Sequence, residues 1–113
     1  MKIRRGDIYQ CELGRGKGSE TFGTRPCVVV SNNTNNRYAP VITVVPLTTG
    51  QKAELPVHVK VHCQGLESTA MCELIRAISI TRARTWLGEV REEELKAIDA
   101  ALRVQLALEE EII

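Results

Sequence analysis

Two polar residues stand at the ends of apolar, strand-like runs, and their chemistry suits an anion. Arg25 follows the glycine-rich polar stretch Gly18-Ser19-Glu20-Thr21-Phe22-Gly23-Thr24 and opens directly onto Pro26-Cys27-Val28-Val29-Val30-Ser31. Thr48 closes a second run, Val41-Ile42-Thr43-Val44-Val45-Pro46-Leu47, and leads into Thr49-Gly50. A guanidinium offers planar, bidentate donors and does not lose its charge at any working pH. On a rigid strand base beside a mobile loop it suits phosphate capture. Thr48 adds a hydroxyl donor. If the two runs are antiparallel neighbours, the start of the first lies beside the end of the second. Arg25 and Thr48 then meet beneath the loop that carries Glu20. An Arg in an ordinary hairpin loop has the same local look, so the elements around the pair must decide.

Those elements read as mainly β. Residues 3–13 form a first strand, with Ile8 on one face and Tyr9 on the other, and 14–24 form a flap. Pro26 lacks an N–H and suits a strand start or edge. The apolar run after it predicts a strand buried on both faces or set in a barrel wall. Residues 32–37, Asn-Asn-Thr-Asn-Asn-Arg, read as a turn between that strand and its partner at 41–48. Residues 55–62 alternate, Val57, Val59 and Val61 against His58, Lys60 and His62. A loop at 64–67, a strand at 69–79, a turn at 80–84 and a short strand at 85–90 around Trp86 follow. A helix at about 91–108 completes the chain, with Leu95, Ile98, Leu102 and Leu106 at helical spacing and Glu92-Glu93-Glu94 at its dipole-favoured start. Short strands, mostly hairpin-joined, with one late helix predict a small twisted antiparallel β-barrel.

The 113 residues suffice for a single domain with one modest core. With only 4% aromatic residues, that core rests on Val, Ile, Leu and Ala. The net charge of +1 hides an asymmetry: residues 1–88 carry twelve Lys/Arg against six Asp/Glu, and residues 89–113 carry three against eight. A basic body with an acidic end can bind a polyanion on one face. No apolar stretch approaches the length of a membrane span, and no secretion signal is read, so the expectation is a cytoplasmic protein. Cys11, Cys27, Cys63 and Cys72 form no Cys-x-x-Cys pair and are expected to be reduced, with Cys27 and Cys72 buried in strands. His58 and His62 share a strand face but stand about 13 Å apart at strand rise, too far to chelate one ion. No metal or other cofactor is expected. Both histidines read as polar residues on an exposed face.

In their order along the chain, Arg5-Gly6-Asp7-Ile8-Tyr9, the Gly18-Ser19-Glu20 to Arg25-Pro26 loop and the Thr48 strand end resemble the MazF/PemK (Kid) toxins of type II toxin–antitoxin systems. The resemblance covers about residues 3 to 108, with the loop and Arg25-Pro26 as its specific part. It implies an SH3-like barrel working as a homodimer, and a sequence-specific, metal-independent endoribonuclease acting on single-stranded mRNA. The products would be 2′,3′-cyclic phosphate and 5′-hydroxyl ends, and translation and growth would stop. It also implies a cognate, MazE-like antitoxin partner. The positions tied to cleavage match Arg25 and Thr48. Glu20 is a candidate general base or flap contact, and Arg15, Lys17, Ser19, Phe22, Thr49 and Arg76 are the candidate RNA contacts. Many relatives carry Gln and Thr where this chain has Leu74 and Ala77, so base preference does not transfer. Arg76 and Glu73 read equally as a structural ion pair. Phe22, Tyr9 and Tyr38 are the stacking candidates, and all three are equally suited to filling core or interface gaps. The alternatives are a gyrase-binding toxin of the same fold, whose members lack the Arg-Pro loop, and a plain SH3-like binding module.

Overall fold

The computed structural model describes residues 2–18, 23–50 and 52–108. Strands β1 (Asp7–Glu12), β2 (Thr24–Val29), β3 (Val41–Thr48), β4 (His58–Cys63), β5 (Leu66–Met71), β6 (Arg76–Ser79) and β7 (Ala83–Glu89) join in one antiparallel sheet. Two helices, α1 (Asn33–Tyr38) and α2 (Glu92–Gln105), complete the fold. The strand order is β4-β5-β3-β2-β1-β7, with β6 also on β3.

The apolar runs are continuous because both of their faces are buried. Val28, Val45 and Leu47 join a cluster completed by Ile98, Ala101 and Leu102 of α2. Cys27, Val29 and Val44 point the opposite way, into a second cluster with Tyr9, Cys11 and Ile78. Period-2 alternation thus sends successive side chains into two apolar layers. The expected pairing of the two runs is present: Cys27, Val28 and Val29 face Pro46, Val45 and Val44. The sheet curls at β3, whose first four residues pair with β6 while Leu47 and Thr48 pair with Ala70 and Thr69 of β5.

That change of partner explains a departure from the sequence reading. The single strand expected at 69–79 is two strands, β5 and β6, separated by a 3-10 turn over Cys72–Leu74. Cys72 is buried in that turn rather than in a strand. The expected loop at 64–67 shrinks to Gln64-Gly65, both at positive φ (51° and 80°), so Leu66 and Glu67 belong to β5. Paired left-handed residues make the tight turn whose twist matches antiparallel strands. Residues 32–37 are not a plain turn: Asn32 caps α1 through its Oδ1, which accepts from the Asn35 N–H at 2.8 Å. The buried Asn36 amide donates to the Ser31 carbonyl at 2.8 Å. Asparagines that favour turns by bonding to nearby backbone favour a helix start for the same reason.

The N-terminal Arg5-Gly6-Asp7 run is structural. Asp7 Oδ2 accepts from the Arg4 N–H at 2.8 Å, and Oδ1 accepts from Trp86 Nε1 at 3.4 Å. Arg5 Nε donates to the Val30 carbonyl at 3.0 Å, and its Nη2 bonds Asp99 of α2. Helix α2 starts on a second carboxylate. Glu94 Oε1 accepts from the Arg91 N–H at 2.8 Å, capping the helix, while Oε2 accepts from the His62 N–H at 2.8 Å and lies 3.1 Å from His62 Nδ1. One buried side chain therefore ties α2 to β4. Among the described residues, no helix is long and apolar enough to cross a membrane.

Candidate active site

The β2–β3 ladder ends at Cys27 opposite Pro46. Arg25 and Thr48 lie two residues beyond that pair on their strands. Both line one cavity of about 390 Å³, together with Gly23, Thr24, Pro26, Leu47, Thr49 and Ser68. Pro26, paired with Gln10 of β1, gives the guanidinium its stiff base. On its other side Thr48 pairs with Thr69 of β5, which brings in the neighbouring Ser68. The described lining is one guanidinium, four hydroxyls and apolar floor, with no carboxylate and no imidazole. Such a set can hold and neutralise a phosphate and donate to its oxygens.

The flap is pinched at its base. Leu13 N–H donates to the Gly23 carbonyl and Gly23 N–H donates to the Gly14 carbonyl, both at 2.8 Å. Gly14 (φ 73°) and Gly23 (φ 74°) adopt the left-handed backbone that closes this neck. Arg76 reinforces it, because Nη1 donates to the Leu13 carbonyl at 3.2 Å. The alternative reading of Arg76 and Glu73 as an ion pair does not hold, since Glu73 bonds His58 instead. Arg25 and Arg76 both act on the buried Cys27 thiol. Its hydrogen bond with Cys11 and its burial push it well above the ordinary thiol range, and the two guanidiniums offset only part of that.

Of the residues expected from sequence, Arg25, Thr48 and Thr49 share the cavity. Arg15 and Lys17 are exposed on the flap, outside the described lining. Ser19, Glu20 and Phe22 lie outside the described residues. Tyr9 is a core residue, 2% exposed, whereas Tyr38 is 74% exposed with Arg37 over its ring at 5.4 Å. His62 is exposed, as read from the sequence, but His58 is not an open polar residue. The His58 side chain is 9% exposed and bonds Ala53 and Glu73, and His62 bonds Glu94. Ser68 went unseen in the sequence; its signal was a small hydroxyl inside the strand-compatible stretch Leu66-Glu67-Ser68-Thr69-Ala70.

Comparison with known proteins agrees along most of the chain. Residues 4–106 match the family described as PemK-like, MazF-like toxin of type II toxin–antitoxin system. An endoribonuclease MazF from Staphylococcus epidermidis is 35% identical over 111 residues, covering 94% of this chain and 92% of that protein. A mycobacterial endoribonuclease solved in complex with its cognate antitoxin superposes with a TM-score of 0.81 at 28% identity, covering 96% of this chain and 99% of that one. MazF from Deinococcus radiodurans, at 20% identity, shares the fold with a TM-score of 0.83 over 95% of this chain and 98% of its own. A match over nearly all of its length, on a fold that brings Arg25 and Thr48 to one cavity, means that the chain belongs to the PemK-like, MazF-like toxins of type II toxin–antitoxin systems.

Proposed function

We propose that this toxin is an endoribonuclease that cuts single-stranded RNA with the substrate's own 2′-hydroxyl, using the Arg25–Thr48 cavity. The observation that carries the reading is that cavity: a guanidinium and hydroxyls converge where two strands end, and the described lining offers no nucleophile with an adjacent base. The attacking group is then the ribose 2′-oxygen, which RNA has and DNA lacks. Its bond to phosphorus forms, the bond from phosphorus to the 5′-oxygen breaks, and the proton lost from the 2′-oxygen is matched by one gained at the leaving 5′-oxygen. The products are a 2′,3′-cyclic phosphate and a 5′-hydroxyl. Arg25 neutralises the charge that builds on the phosphorane, and Thr48 donates to a non-bridging oxygen. Glu20 on the flap is the candidate base. Arg15 and Lys17 hold flanking phosphates, and Thr49 and Arg76 border the track. The working form is a homodimer in the cytoplasm, restrained by a cognate antitoxin that covers the site, and free toxin stops translation by cutting mRNA.

The test replaces the single ribose 5′ of the scissile phosphate by deoxyribose. Cleavage is expected to stop while binding, measured by fluorescence anisotropy, persists and weakens with rising salt. Cutting at that same bond would mean that water attacks, and the mechanism would fall.

A further inference from the structure

The His58 ring lies between two groups that accept hydrogen bonds. Nδ1 is 2.8 Å from the Ala53 carbonyl, and Nε2 is 2.6 Å from Glu73 Oε2. A carbonyl and an ionised carboxylate only accept, so both ring nitrogens must donate, and a ring that donates from both is the imidazolium. The second Glu73 oxygen, Oε1, is buried without a hydrogen-bond partner among the described residues. The carboxylate therefore depends on the ring for its compensation.

The two ends of this bridge are informative. Ala53 belongs to the segment that leaves the cavity at Thr48 and Thr49, where Gly50 N–H folds back toward Thr48 Oγ1 at 3.4 Å. The far end of that segment is fastened by Cys72 N–H donating to the Val57 carbonyl at 3.0 Å. Glu73 belongs to the 3-10 turn that precedes Arg76, whose guanidinium braces the flap neck. We propose that His58 is a positioning residue for cleavage: as the imidazolium it fastens the 52–57 segment, which follows Thr48 and Thr49 along the chain, to the turn that carries Glu73. The proposal rests on the reading of the Arg25–Thr48 cavity as the cleavage site.

The charged groups acting on the ring are the Glu73 carboxylate from the turn and the Lys52 ammonium from the segment itself. Burial disfavours the charged ring, but the bonds to the Ala53 carbonyl and Glu73 outweigh burial and Lys52, and its pKa is raised. The bridge is therefore complete below the ordinary histidine range. One of its two bonds is lost as pH rises through the raised value.

Three measurements decide the proposal. In ¹⁵N NMR at pH 6, both nitrogens of the His58 ring should be protonated. His58→Gln, which can reach only one of the two acceptors, should lower single-turnover cleavage about tenfold. It should leave the affinity for an uncleavable 2′-deoxy oligonucleotide within about twofold and speed amide exchange over 52–57. Glu73→Gln is the discriminating variant. Its amide can donate to Nε2 of a neutral ring while Nδ1–H stays on Ala53, so the bridge should survive deprotonation. An alkaline fall in turnover, expected of wild type as His58 loses its proton, should vanish in this variant. A singly protonated ring at pH 6, parallel pH profiles for wild type and Glu73→Gln, or unchanged turnover in His58→Gln would each overturn the proposal. A chain that cuts no RNA would instead sink the cleavage reading. The ring spectrum and the exchange rates, taken without RNA, would still decide whether the bridge exists.

Discussion

Arg25 of β2 and Thr48 of β3 lie two residues beyond the Cys27–Pro46 pair, and both line the same cavity. Both are half-buried and belong to neither apolar cluster, so each can be changed without opening a hole in the core. Arg25→Ala should lower cleavage by about 10²–10³, the typical cost of losing a donor to a developing oxyanion. Thr48→Ala should cost as much or less. Near-native cleavage by a folded Arg25→Ala protein, checked by circular dichroism, would remove Arg25 from the chemistry.

Chelation should leave cleavage intact. The described cavity lining supplies a guanidinium and hydroxyls, not the carboxylates or imidazoles that hold a catalytic ion. Activity measured with excess EDTA should match the untreated rate. Loss on chelation with rescue by one divalent metal would contradict the 2′-hydroxyl mechanism in its metal-free form.

Glu94 should make the fold acid-sensitive. Burial works against its charge, but the N–H groups of Arg91 and His62 and the His62 ring outweigh that and hold its pKa below the ordinary carboxylate value. Its stabilisation is then complete above the unfolded carboxylate pKa, near 4.3, and lost as pH falls through the lower folded value. Urea midpoints should drop between pH 6 and pH 3. In Glu94→Gln the drop should be smaller and stability at pH 7 lower by about 1–3 kcal/mol. An equal acid slope in both proteins would discount the cap.

Arg76 should act on the flap neck. Its bond to the Leu13 carbonyl backs the Leu13–Gly23 hydrogen bond, so Arg76→Ala should speed amide exchange at Leu13 and Gly23 about tenfold, the equivalent of about 1.4 kcal/mol. Unchanged exchange with weakened RNA binding would make Arg76 a direct RNA contact alone.

The protein should be a dimer. Tyr38, Leu66 and Trp86 remain largely exposed on a chain of 12.6 kDa with few aromatic residues. Light scattering at micromolar concentration should give twice the monomer mass, and a monomer throughout would contradict the proposed assembly.

How much of this was legible in the chain follows from the range of the forces involved. That Arg25 and Thr48 come to one cavity could be read directly. Apolar runs mark the strands, Pro26 and the glycine-rich stretch mark the entry, and a short connection makes neighbouring strands antiparallel. Helix α2 was legible from its 3.6-residue period, though it ends at Gln105 rather than near 108. These are local rules, acting among residues a few positions apart. What the sequence hid lies where partners are chosen at long range. Strand β3 shares itself between β5 and β6 because the sheet curls, and that curl breaks the apparent strand at 69–79 with the turn at Cys72–Leu74. The same turn aims Glu73 at His58 instead of Arg76, and the packing of α2 on β4 gives Glu94 to His62. A charged side chain in a sequence shows only that it needs a partner when buried. Which partner it takes is decided by the tertiary fold, because desolvation makes the pairing compulsory and distance alone selects among the candidates.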